Sequence, residues 1–90
     1  MTFQILKITI PTNPGIYLMK DSGGKIIYIG KAKNLKNRVK SYFLKNQNYK
    51  TQKLVENISD IEFILTDNES EAFLLESNMI KNIAQDSILN

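Results

Sequence analysis

The sequence has no cysteine and no histidine. The first absence excludes a disulfide framework, thiolate catalysis and a zinc–thiolate site. The second removes imidazole as general base or metal ligand, so acid–base chemistry is left to Tyr, Asp, Glu, Lys or a metal-bound water. Long apolar runs are missing too; the longest fall far short of a membrane span. No basic-then-apolar leader follows Met1. The expectation is a soluble, cytoplasmic protein without membrane contact. Its 90 residues suit one domain, 1–90, with a modest core. No internal repeat, linker or low-complexity segment divides it.

Acidic residues are absent from a long central stretch. Between positions 25 and 53 stand Lys25, Lys31, Lys33, Lys36, Arg38, Lys40, Lys45, Lys50 and Lys53, with no Asp or Glu among them. From position 54 onward the only base is Lys81, against Glu56, Asp60, Glu62, Asp67, Glu69, Glu71, Glu76 and Asp86. The net charge of +3 hides this polarity. The basic third is either a solvated lysine-rich surface or an electrostatic footprint for a polyanion.

The stretches 16–19 and 26–29 are rich in β-branched and aromatic residues and read as two strands. Asp21-Ser22-Gly23-Gly24 between them is a tight-turn sequence. A loop centred between Ser22 and Gly23 sets Met19 opposite Ile26 and Tyr17 opposite Tyr28, making the tyrosines direct cross-strand neighbours. Ile16, Leu18, Ile27 and Ile29 then take the other face. Gly30 ends the second strand in this reading. Residues 1–10 suit a short helix or an extended segment, and 11–14 form a loop.

Asn34 is a candidate cap for a helix that carries Leu35, Val39, Tyr42 and Phe43 on one side. Arg38 and Tyr42 are i and i+4 on it, hence surface neighbours. After a polar break at 46–48, residues 51–58 read as a short helix with Leu54, Val55 and Ile58 inward. Residues 61–66 read as a third strand. Asn68 and Glu71 form a cap and N3 pair that starts a helix near Glu69. Its apolar stripe is Ala72, Leu75, Met79, Ile80 and Ile83. Glu76 falls near the centre of that stripe, where a carboxylate is costly unless it is paired, protonated or bound to a metal. Glu69 and Glu71 read as first-turn acids that complement the helix dipole.

Pro14-Gly15-Ile16-Tyr17, then Tyr28-Ile29-Gly30-Lys31-Ala32-Lys33-Asn34-Leu35, Arg38 and Ser41-Tyr42-Phe43 together resemble the GIY-YIG nuclease superfamily. Within it, they are similar to the N-terminal nuclease domains of the bacterial UvrC excinuclease family. The stretches 61–66 and 71–81 extend the likeness, which covers roughly residues 10–82, with the motif region at about 13–82. The resemblance implies an α+β fold, a central antiparallel three-stranded sheet flanked by helices. It implies a metal-dependent endonuclease that incises damaged DNA on the 3′ side of a lesion in nucleotide excision repair. It also implies a piece of a longer chain whose other segments engage the excinuclease component UvrB. A stand-alone GIY-YIG structure-specific nuclease and a catalytically weak nucleic-acid-binding module are the alternatives. One departure stands in the tail. The family continues into an Arg-Pro-x-Tyr-Asn-like segment whose Asn lines the active site, and Ile88 occupies that place here.

Phosphodiester hydrolysis needs an activated water, neutralisation of developing charge and help for the leaving oxygen. Tyr17 is the candidate general base, a role that requires nearby positive charge from Lys31 or the basic third. Tyr28 positions water or phosphate. Arg38 offers a planar fork of donors to phosphate oxygens, and Tyr42 a hydroxyl. Glu76 is the candidate ligand of one Mg²⁺ or Mn²⁺ ion, since a single carboxylate with waters suits Mg²⁺. Lys31, Lys33, Lys36, Arg38 and Lys40 are the candidate DNA contacts.

Overall fold

The computed structural model describes residues 9–44 and 47–83, the side chains of 82 and 83 excepted. Most of the segment 1–10 and all of the tail 84–90, with Ile88, lie outside the described residues. In chain order the elements are β1 (Gly15–Lys20), β2 (Ile26–Ala32), α1 (Leu35–Ser41), α2 (Tyr49–Asn57), β3 (Asp60–Leu65) and α3 (Glu69–Ile83). The sheet is antiparallel with β1 central, in the order β2-β1-β3. This is the α+β architecture expected.

The hairpin register differs from the symmetric expectation. Asp21 takes up two backbone donors through its side chain, Gly23 N–H and Lys25 N–H, each at 3.0 Å. Its backbone N–H meets Lys25 O at 2.9 Å. Three residues therefore form the loop, and Gly24 closes it at φ 83°, a conformation that suits a residue without Cβ. Next, a bulge at Ile27 inserts a residue in β2, so Lys20 faces Ile26 whereas Met19 faces Tyr28. The two one-residue offsets add. Tyr17 faces Gly30, not Tyr28. A two-residue displacement preserves the side of the sheet, so both tyrosines still share one face. The bulge also reassigns Ile27, which packs on the tyrosine side, and Ile26 takes its place on the other.

Both faces are covered. On one, Tyr17, Met19 and Ile61 pack with Leu35, Val39 and Tyr42 of the α1 region and Ile58 after α2. On the other, Ile16, Leu18 and Ile29 pack against Ala72 of α3, with Leu75, Met79 and Ile80 alongside. The loop before β1 ties these parts together. Pro11 O and Asn13 O accept from the N–H groups of Lys36 and Leu35, two of the donors that a helix start leaves unpaired. Asn34 takes a third, from Asn37, at 3.1 Å. Asn68 caps α3 through Glu71 N–H at 2.8 Å, as its spacing predicts. Helix α2 starts earlier than expected because Asn48, within the polar break, is its cap, accepting from Thr51 N–H at 2.8 Å.

Strand β2 does not stop at Gly30 but runs on to Ala32. The glycine serves close approach. A Cβ built there would land on Cζ and Oη of Tyr17, so only a residue without a side chain lets that ring lie across β2. Tyr17 is only 1% exposed and has no room to withdraw. Gly30→Ala is expected to cost about 1–3 kcal/mol by overpacking. At roughly 4–8 °C per kcal/mol for a domain of this size, that is a clear drop in a thermal melt. A variant that melts with the parent would show that the ring is free to move.

Candidate active site

The tyrosines form a compact trio. Tyr17 projects from central β1, Tyr28 from edge strand β2, and Tyr42 caps the C-terminal end of α1. Ring centroids lie 6.2 Å apart for Tyr17–Tyr28, 5.8 Å for Tyr17–Tyr42 and 6.3 Å for Tyr28–Tyr42. These spacings are normal for tilted and edge-on aromatic contacts. Tyr17 and Tyr42 share a buried hydrogen bond, Oη to Oη at 2.7 Å. Arg38 donates from Nε to Tyr17 Oη at 3.4 Å and lays its guanidinium over the Tyr42 ring, 5.3 Å from the centroid. The i, i+4 spacing of Arg38 and Tyr42 thus produces a cation–π pair. Arg38 also lines the clefts beside the trio, and its terminal nitrogens make no hydrogen bond among the described residues.

Two adjoining clefts open beside this trio. One is lined by Tyr17, Tyr28, Gly30, Lys31, Lys33, Asn37, Arg38, Glu69 and Glu76. The other is lined by Tyr42, residues of α2 and several apolar side chains. Tyr28, Arg38, Ser41 and Glu76 line both. The structure therefore gathers Tyr17, Tyr28, Lys31, Lys33, Arg38, Tyr42 and Glu76 in one region. Lys36 and Lys40 lie apart, exposed on α1 and lining neither cleft. They stand two residues either side of Arg38, about 200° around the helix axis, and so point away from it. Asn37 and Ser41 were not singled out in the sequence, although they flank Arg38 on its own helix face. Glu69 also reaches the cleft mouth, where its carboxylate is 3.9 Å from Lys31 Nζ. Being a first-turn acid had explained it by the helix dipole alone.

Glu76 is half-buried, not enclosed in the core. Ala72 and its apolar neighbours press α3 onto the sheet, and Glu76 sits where the helix overhangs the edge strand and the clefts begin. Among the described residues no Lys or Arg forms an ion pair with it. No cluster of three acidic side chains surrounds it among those residues either. The donor set is one carboxylate near phenol hydroxyls, which fits a hard divalent cation that keeps most of its waters.

Burial governs the phenols. It pushes the Tyr17 hydroxyl above its ordinary pKa, and hydrogen bonding from Tyr42 and Arg38 only partly offsets this. Tyr28 is raised chiefly by burial, then by Tyr42. Tyr42 is pushed up to about 12, by burial first and by its bond to Tyr17 second. Arg38 is raised further above its usual range, chiefly by its hydrogen bond to Tyr17. The positive charge at Tyr17 therefore comes from Arg38, while Lys31 is turned toward Glu69 and lies 6.0 Å from the Phe73 ring centroid. Between the two bonded hydroxyls the asymmetry is clear. Arg38 donates to Tyr17 and not to Tyr42, so Tyr17 is the better placed to become the anion.

A three-stranded sheet that sets the two tyrosines of a GIY…YIG pair on one face, beside an arginine on the following helix and a glutamate on the last, defines a domain of the GIY-YIG class. A UvrC-like GIY-YIG domain model matches residues 13–85. UvrABC system protein C from Oenococcus oeni is 61% identical over 72 residues, which cover 80% of this chain and 12% of that protein. The counterpart from Aster yellows witches'-broom phytoplasma is 56% identical over 82 residues, 90% of this chain and 14% of that protein. The magnesium-bound N-terminal endonuclease domain of UvrC from Thermotoga maritima superimposes with a TM-score of 0.80 at 43% identity, covering 91% of this chain and 92% of that one. The chain belongs to the UvrC-like GIY-YIG domain family, and it spans about an eighth of the length of those curated relatives.

The raised phenols give a pH signature. An unfolded phenol ionises near pH 10, whereas folded Tyr42 does so near about 12. The folded state thus binds the proton more tightly; this stability is fully present below pH 10 and is lost as pH rises through 12. Thermal melts across that window are expected to show a falling Tm, and Tyr42→Phe to flatten the fall. Identical pH slopes for parent and variant would refute the buried, protonated assignment.

Proposed function

We propose that this domain is a metal-dependent DNA endonuclease of the UvrC type, which makes the 3′-side incision at damaged DNA in nucleotide excision repair. The observation that carries it is the convergence of Arg38 and Tyr42 on the Tyr17 hydroxyl, with the Tyr28 ring beside it and Glu76 lining the same cleft. Glu76 would hold one Mg²⁺ or Mn²⁺ ion. When bound, the cation supplies Lewis-acid stabilisation of the charge that develops on the phosphate and leaving oxygen. The Thermotoga domain has been solved with single tyrosines replaced by phenylalanine and its catalytic divalent cation still bound, which accords with a carboxylate rather than a phenol as principal ligand.

The chain's own groups do the remaining work. Tyr17 first gives up its own proton to solvent in the cleft it lines; the phenolate, held by donors from Tyr42 and Arg38, then accepts the proton of the attacking water at Oη. The terminal nitrogens of Arg38 meet the non-bridging phosphate oxygens in planar, charge-assisted contacts. Tyr28, 36% exposed, offers its hydroxyl to water or phosphate from the cleft wall. Lys31 leaves Glu69 for the phosphate, and Lys33 continues the cationic edge that positions the backbone without reading sequence. Recognition of the lesion and engagement of UvrB belong in this reading to other parts of a UvrC protein, acting in the cytoplasm. Among the described residues no helix is long and apolar enough to cross a membrane.

Nicking of supercoiled plasmid with Mg²⁺ or Mn²⁺ tests the reading. Arg38→Lys keeps the charge but removes the fork, and the expected loss is on the order of 2–4 kcal/mol of transition-state stabilisation. Parental rates in that variant would reduce Arg38 to a generic cation. Glu76→Gln is expected to abolish nicking and the rise in Tm on adding Mn²⁺, with metal-free stability unchanged or slightly raised. A Gln variant that still nicks, or that melts far lower without metal, would return Glu76 to a structural role.

A further inference from the structure

The second cleft, of about 750 Å³, shares Tyr28, Arg38, Tyr42 and Glu76 with the chemistry above, and the rest of its lining has no part in that chemistry. Beyond Arg38, Ser41 and Tyr42 of the α1 region, its walls come from three elements. Edge strand β2 contributes Ile27 and the Tyr28 ring, α2 contributes Leu54, Thr51 and Lys50, and α3 contributes Ile80. The bulge turns Ile27 to the tyrosine side, toward this cleft. The result is a slot with apolar side chains from three elements, the rings of Tyr28 and Tyr42 in its lining, and the cation Lys50 among its polar residues. Lys50 is exposed and in no ion pair among the described residues. The slot joins the first cleft through Tyr28, Arg38 and Glu76. The joined clefts are thus lined by four cations, Lys31 and Lys33 in the first, Arg38 in both and Lys50 in the second, with Glu76 also in both.

We infer that this second cleft takes an unstacked nucleobase next to the scissile phosphate, with the flanking phosphate on Lys50. The inference rests on the nuclease reading for its placement of the scissile phosphate at Arg38. A polyanion alone needs no apolar walls; a purely apolar ligand needs no lysine. A nucleotide has both parts, and a base stacks on an aromatic ring whatever its sequence. A base paired inside a continuous duplex cannot enter such a slot. The cleft thus selects a strand that is locally melted or carries an unpaired nucleotide beside the cut.

The test compares fluorescence anisotropy of a labelled single-stranded oligo(dT) with that of an abasic oligomer of equal length and charge, using the whole 90-residue chain. The parent is expected to favour oligo(dT) by about five-fold or more, the lower bound for one stacked base. Leu54→Gln makes the wall polar at similar volume, and Thr51→Met fills the slot without touching the core. Both are expected to erase the preference and leave abasic affinity unchanged. Lys50→Gln is expected to weaken both oligomers and reduce the salt slope by about one phosphate contact. Equal parental affinity for the two oligomers, or a preference that survives in a Thr51→Met variant with a parental melt, overturns the inference. Because the readout is binding, a parent that fails to nick plasmid while keeping the preference would remove the nuclease reading alone.

Discussion

The ring of Tyr17 crossing Gly30 is the contact on which the rest depends. A tyrosine on the central strand of a small sheet is ordinarily a core residue, and this one is almost wholly buried. Its hydroxyl, however, must find partners there, since a buried polar group without one is costly. Passing over the bare backbone of Gly30 carries Oη to the edge of the sheet, where Tyr42 and Arg38 meet it. One packing solution thus places a polar atom at the rim of the core and defines the geometry of the cleft. The α1 cap, the loop carbonyls of residues 11 and 13 and the burial of Leu35 and Val39 hold Arg38 and Tyr42 at the right height for that meeting.

The charge distribution acquires its meaning from this arrangement. The basic third contributes Lys31, Lys33 and Arg38 to the lining of the cleft, while the acidic third contributes Glu69 and Glu76. The Lys31–Glu69 pair is solvent-accessible and 3.9 Å long, so it contributes little stability and is easily broken. Glu76 has no such partner among the described residues. Burial keeps the phenols protonated in the isolated domain. Burial and hydrogen bonding act in opposite directions on Tyr17, and burial prevails.

Much of the fold was legible from local chemistry. Asn34 and Asn68 announce their helices because a side-chain oxygen three residues before an amide is a local geometric match. β-Branched and aromatic content marks the strand at 16–19, residues 61–66 read as another, and the spacing of Arg38 and Tyr42 is enough to make them touch. What was misread shares a cause: the hairpin register, the role of Gly30 and the source of charge at Tyr17 all depend on residues distant in sequence. A one-residue longer turn and a bulge at Ile27 are each compatible with the same strand pattern, and alternation cannot distinguish a register from one displaced by two.

The sequence by itself therefore determined the inventory and the short-range rules: no imidazole or thiol, a basic middle and an acidic end, capped helices, two tyrosines on one face and a glutamate within an apolar stripe. These follow from residue identity and from the periods of helix and strand, which need no knowledge of neighbours. Only the tertiary structure decided that Tyr17 lies over Gly30, that Arg38 rather than Lys31 meets its hydroxyl, and that Glu76 opens onto a cleft instead of into the core. Contact across 21 residues of chain, as between Tyr17 and Arg38, is set by how α1 and the sheet pack together, and packing is a property of the assembled core that no local pattern encodes.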